Sequence, residues 1–134
     1  VILARTEIDV KKNKQKGDIK MNAYSVTASN GASSVAISTG RQSAAINSGD
    51  QSIALNTGSH GEASVKNAGS IAIATGTQSR AKAGLGSAIV LVERTSWGGK
   101  NYPLNNIKAA IVDGEKIKAD TWYTLKNGEF VECD

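Results

Sequence analysis

The chain has 134 residues, long enough for a single unit with a modest core, and no Pro- or Ser-rich linker divides it. Aromatic residues make up only 4% of it while glycine occurs 14 times and proline once, so small side chains rather than Phe, Tyr and Trp must fill the interior. The net charge of +4 is mild, the single cysteine rules out an internal disulfide, and no apolar run is long enough to cross a bilayer as a helix.

The first segment, 1–24, reads as two strands joined by a turn rich in lysine (Lys11, Lys12, Lys14, Lys16), forming an N-terminal β cap. No aromatic residue is interleaved with those lysines, so they read as a solvated turn and not as a nucleic-acid contact. A chain opening at Val1 reads as the continuation of a longer protein.

From Ser25 to about Arg94 the sequence repeats every nine residues. One column runs Ser25, Ser34, Ser43, Ser52, Gly61, Ser70, Ser79, Ala88, and a second runs Thr27, Ala36, Ala45, Ala54, Ala63, Ala72, Ala81. A third holds Gly31, Gly40, Gly49, Gly58, Asn67 and Gly76 before breaking at Leu85, between Gly84 and Gly86. Spacing this regular is the mark of a solenoid, whose strands stack on their neighbours and tolerate no slippage. Alternation places the Ser and Ala columns on one face of a short strand, with serine hydroxyls paired to each other or to corner backbone. The glycine column is read as supplying the positive φ of a tight corner.

The outward positions differ between alternate repeats. Four repeats carry Val35/Ile37, Ile53/Leu55, Ile71/Ile73 and Ile89/Leu91; those between them drift from Val26/Ala28 and Ala44/Ile46 to Glu62/Ser64 and Arg80/Lys82. Two nonapeptides therefore make one eighteen-residue turn, and the fold class is all-β: a parallel two-sheet β-roll over 25–94 with small β caps at 1–24 and 95–134. A triangular β-helix would show a six-residue period, and none is visible. The eight aliphatic side chains form an outward stripe larger than a soluble monomer usually leaves exposed. Either the faces of other copies, in a dimer or preferably a trimer, or the chain's own tail must cover it, and self-association is the favoured reading.

After Arg94 the composition changes, and five of the six aromatics fall here: Trp97, Tyr102, Trp122, Tyr123 and Phe130. Ile107 to Val112 reads as a strand, Asp113-Gly114 as a turn, and Trp122 to Glu132 as a hairpin closing at Asn127-Gly128. Trp97 and Tyr102 are candidate binding residues; the alternative is that they plug the solenoid end.

Catalytic chemistry is poorly represented. His60 is the only histidine and stands in the corner column of Gln42, Gln51 and Gln78, so neither a zinc site nor a Ser/His or Cys/His dyad can be assembled within one chain. Asp50 is the only corner aspartate, which argues against calcium, and Gly84-Leu85-Gly86 lacks the lysine of a phosphate loop. The column of Thr39, Thr57 and Thr75 resembles ice-binding solenoids but has no partner column. No cofactor or metal is called for, and the reading is of a non-enzyme.

The repeats Ser34-Val35-Ala36-Ile37 and Ser70-Ile71-Ala72-Ile73, alternating with polar ones such as Ser79-Arg80-Ala81-Lys82, resemble the head repeats of trimeric autotransporter adhesins. That resemblance covers about half the chain, departs from the family in repeat length, and implies a trimer more firmly than it implies adhesion. A second resemblance runs from Ser79 through Ile89-Val90-Leu91-Val92-Glu93 and on to Trp122-Tyr123-Thr124-Leu125 and Asn127-Gly128-Glu129-Phe130. It is to the C-terminal region of uncharacterised phage and prophage proteins of gut bacteria, and it implies a solenoid behind an upstream domain. Together these imply a scaffold or binding module in a phage particle or bacterial cytoplasm, with a receptor- or glycan-binding head at a cell surface as the alternative.

Overall fold

The computed structural model describes residues 25–95 and 102–133. The expected N-terminal cap and Trp97 lie outside the described residues. Within them the chain is a β-roll whose strands alternate between two sheets. The first sheet contains β1 (Val26–Ser29), β3 (Ala44–Asn47), β5 (Glu62–Val65) and β7 (Arg80–Lys82); the second contains β2 (Val35–Ser38), β4 (Ile53–Asn56), β6 (Ile71–Ala74) and β8 (Ala88–Arg94). Pairing is parallel, and Val35 lies beside Ile53 and Ile53 beside Ile71, so one turn takes eighteen residues.

The interior is built from the small columns. Ala36, Ala45, Ala54, Ala63, Ala72 and Ala81 are fully buried, and Ser43, Ser52, Ser70 and Ser79 nearly so. The serines bind successive turns together: the Ser52 amide donates to Ser70 Oγ at 3.0 Å, while Ser52 Oγ donates to the Gly31 carbonyl at 3.1 Å and Ser79 Oγ to the Gly58 carbonyl at 3.1 Å. The buried hydroxyls of this column are thus paired at the corners, which lets two alanine-lined sheets approach closely.

The glycine column serves a different purpose from the one its composition suggests. Positive φ falls instead at the residue preceding each position of the serine column: Ser33, Gln42, Gln51, Gly69, Gln78 and Gly86 before serines, and His60 before Gly61. Gly49, Gly58 and Gly76 are required because each stacks on the corner one turn below, where a methyl group would stand 2.1, 1.9 and 2.0 Å from the carbonyl oxygens of Gly31, Gly40 and Gly58.

Two buried asparagines complete the corners. Asn56 Nδ2 donates to the carbonyls of Ser43 (2.7 Å) and Glu62 (3.0 Å), and its Oδ1 accepts from the Gly58 amide at 2.7 Å. Asn47 repeats the pattern with Ser34, Ile53 and Gly49.

The last turn is one residue short. The corner from Ala83 to Ser87 matches the longer one from Val65 to Ser70, and the Ser70 amide donates to Ser87 Oγ. Ser87, not Ala88, therefore ends the serine column, and Ile71 pairs with Ala88 and Ala72 with Ile89. Ile89 and Leu91, expected on the outer stripe, are instead fully buried. Losing one residue exchanges the two faces of a strand. The consequence is a plug: Ile89 and Leu91 join Val65, Val112, Ile117, Tyr123 and Leu125 in a core of large side chains that closes the thin alanine-filled roll.

The tail extends the sheets. β9 (Leu104–Ile111) pairs antiparallel with β8, and the hairpin of β10 (Tyr123–Lys126) and β11 (Glu129–Glu132) adds to β7. Asn127 and Gly128 both have positive φ, the conformation of the tight hairpin turn their sequence indicates. Tyr123 is buried, its hydroxyl accepts from the Lys118 amide at 2.8 Å, and Phe130 meets it edge-on.

Candidate functional site

The second sheet carries the larger unusual surface. On its outer side stand Val35 and Ile37 of β2, Ile53 and Leu55 of β4, and Ile71 and Ile73 of β6. With Ile89 and Leu91 turned inward, Ala88 and Val90 take the outer places on β8. Antiparallel pairing sets Ile111 beside Ala88 and Ala109 beside Val90, and the intervening Ala110 packs against the core. Alternation then places Ile107, Ala109 and Ile111 outward on β9. The stripe continues over five strands without a polar side chain.

Side-by-side stacking half-covers Ile53, Leu55 and Ile73, but Ile37 is 39% exposed and Ile107 and Ile111 are each 69% exposed. At the usual strand spacing such a stripe spans about 20 Å and presents several hundred square ångströms, the upper end of what a monomer leaves bare. No described strand lies across it, so the described tail lengthens this surface instead of covering it.

The first sheet contrasts with this. Its outer side is apolar at Val26 and Ile46 but turns charged at Glu62, Arg80 and Lys82. Arg80 pairs with Glu62, and Arg80 and Lys82 both lie over the Trp122 ring, at 4.3 and 4.7 Å from its centroid. Trp122 is thus held by two cations at the end of the roll.

A cleft of about 480 Å³ opens where the tail meets the solenoid, between Gln78, Arg80 and Arg94 on one side and Thr124, Lys126 and Cys133 on the other. Its one carboxylate among the described residues is already engaged. Glu93 accepts from the amides of Asn127 (2.7 Å) and Gly128 (3.0 Å) and from Asn106 Nδ2 (2.7 Å). The Asn127 amide, then the Asn106 side chain, hold its pKa below the ordinary glutamate range. Glu93 is therefore a clamp on the hairpin turn and is poorly placed as a proton donor. Among the described residues no group of His, Cys, Asp and Glu converges as metal ligands would.

Tyr102 lies apart from this cleft, 46% exposed, at the start of the segment leading into β9. His60 has φ 56° and shares a hollow with Arg41 and Tyr102 at the corner between the sheets. The β9 part of the stripe is not among the expected stripe residues, although Ile107-x-Ala109-x-Ile111 carries the required alternation, and nothing in the sequence singles out Arg41. No family model, curated protein or solved structure matches the chain.

Proposed function

We propose that the chain is a non-enzymatic β-solenoid module that assembles with copies of itself, as a trimer, through the outer face of its second sheet. It would serve as a rigid scaffold or binding element of a phage or mobile-element protein. The observation that carries this reading is the stripe from Val35 to Ile111, apolar on every strand it crosses and continued by the tail. Burying aliphatic surface stabilises association by about 25 cal/mol per Å² before entropic costs. A stripe only about two side chains wide is smaller than the roughly 800 Å² per partner of a standard two-body interface. Three rolls around one axis let each stripe meet two neighbours. The charged half of the first sheet then faces solvent. The resemblance to trimeric adhesin heads supports the same arrangement, and the resemblance to phage and prophage proteins supports the scaffold role.

The test is a pair of double variants compared by light scattering behind size-exclusion chromatography. Ile53→Lys/Ile71→Lys places cations in the stripe and is expected to give a β-rich monomer. Val26→Lys/Ile46→Lys makes the same change on the first sheet and is expected to leave the assembly intact. Equal masses for both, or loss of assembly in the second alone, would contradict the proposal.

A further inference from the structure

The corner that leads from the second sheet back to the first carries a polar groove with chemistry of its own. The eighteen-residue spacing stacks Arg41, Ser59 and Thr77 in one column and Thr57 and Thr75 in the next. The tail brings Tyr102 against both columns. One hollow, of about 390 Å³, lies between Tyr102, Arg41, His60 and Thr77, and an adjoining one, of about 470 Å³, between Tyr102, Thr57, Thr75 and Arg94.

Three properties of this groove narrow what it could hold. Among the described residues no aspartate or glutamate lines either hollow, whereas two arginines do. Arg94 is fixed, its Nε donating to the Thr75 carbonyl at 2.6 Å and its Nη1 to the Tyr102 carbonyl at 3.0 Å; Arg41 is exposed and makes no ion pair among the described residues. Tyr102 is held at φ 42°, a conformation uncommon for a non-glycine residue, and its backbone is secured by that Arg94 contact while the neighbouring Pro103 carbonyl accepts from the Thr95 amide at 3.1 Å.

We propose that this corner binds an acidic saccharide. Arg41 takes the carboxylate of a sugar-acid unit, the hydroxyls of Ser59, Thr77 and Thr57 meet sugar hydroxyls, and the exposed Tyr102 ring packs against the apolar face of a pyranose. Hydroxyl columns repeating along the axis at the strand spacing, about 4.8 Å, offer an extended chain of sugar units a polar contact at each turn. A single-stranded nucleic acid fits less well, because it is held by successive aromatic platforms and a track of cations. The groove lies at a corner and not on the aliphatic stripe, so it stands or falls apart from the assembly proposed above.

The experiment is calorimetric titration of the chain with tetragalacturonate, with maltotetraose as the neutral counterpart and a short oligothymidylate as the nucleic-acid counterpart. Tetragalacturonate is expected to bind and to weaken as salt is raised, with maltotetraose at least tenfold weaker by roughly the loss of one charge-assisted contact. Arg41→Gln, an exposed change that leaves the melting curve in place, is expected to weaken binding about tenfold, and Tyr102→Leu by a similar factor. Absence of tetragalacturonate binding at millimolar concentration, equal binding of maltotetraose, tighter binding of the oligothymidylate, or an Arg41→Gln chain that binds unchanged would each overturn the proposal.

Discussion

Gly58 sits so close above Gly40 that a methyl group on it would stand 1.9 Å from the Gly40 carbonyl oxygen. That contact sets the axial packing of one corner, and the same relationship recurs between Gly49 and Gly31. Gly58→Ala is therefore expected to push two turns apart and to cost about 3 kcal/mol or more. Gly69 is the contrast, because it has φ 80° and its nearest atom in that direction is 3.6 Å away. Gly69→Asn, which tolerates the left-handed conformation, is expected to cost under about 1 kcal/mol. Chemical denaturation of both variants checks the pair; equal losses would show that the glycines are not steric.

The buried amides and hydroxyls differ in how well they are paired. Asn56→Ala leaves the Gly58 amide without its acceptor and takes one donor from the carbonyls of Ser43 and Glu62, of which Ser43 keeps the Glu62 amide, and a loss of about 2 kcal/mol is expected. Ser38 Oγ is buried with no hydrogen-bond partner among the described residues, so Ser38→Ala is expected to be neutral or to stabilise by about 1 kcal/mol. A comparable loss at both positions in denaturant melts would contradict this account of the corners.

The short last turn makes a sharp comparison between adjacent residues. Leu91 is fully buried in the plug and Val90 lies on the outer side. Leu91→Ala is expected to cost about 3 kcal/mol and Val90→Ala less than about 1 kcal/mol in the dissociated chain. The reverse order would restore the unshifted register.

Glu93 links the plug to pH. Hydrogen bonds to Asn127, Asn106 and Gly128 depress its pKa in the folded chain, so its contribution is fully present above the pKa of an unfolded glutamate, about 4.3. It is lost as pH falls from there through the depressed folded value. Asp113, held down first by the Glu115 amide and then by that of Ile117, acts in the same direction. Thermal melts of the wild type and Glu93→Gln are expected to differ at pH 7 and to converge as pH falls from about 4.3 through the lowered folded pKa. A gap that stays constant across that range would exclude the clamp.

Much of this architecture was legible in the residues. The nine-residue period and its eighteen-residue alternation follow from stacking, which repeats every side-chain environment from turn to turn. Asn127-Gly128 specified its own hairpin because both residues accept positive φ. The glycine column misled because glycine answers two different demands, and only the stacked carbonyl shows which one applies. The missing residue in the last turn was hidden because Ser87 and Ala88 are both small enough for the serine column; Leu85 breaking the glycine column was its one trace. Continuation of the stripe onto β9 depends on which strand pairs with β8, a long-range choice that alternation alone does not make.

The most direct test of the central claim is sedimentation equilibrium of the unaltered chain at about 100 µM and at tenfold dilution. A mass near three times the 13.9 kDa of one chain is expected, with the stripe from Val35 to Ile111 buried between copies. A stable 13.9 kDa species across both concentrations would contradict it. A mass of two chains would keep self-association and remove the trimer.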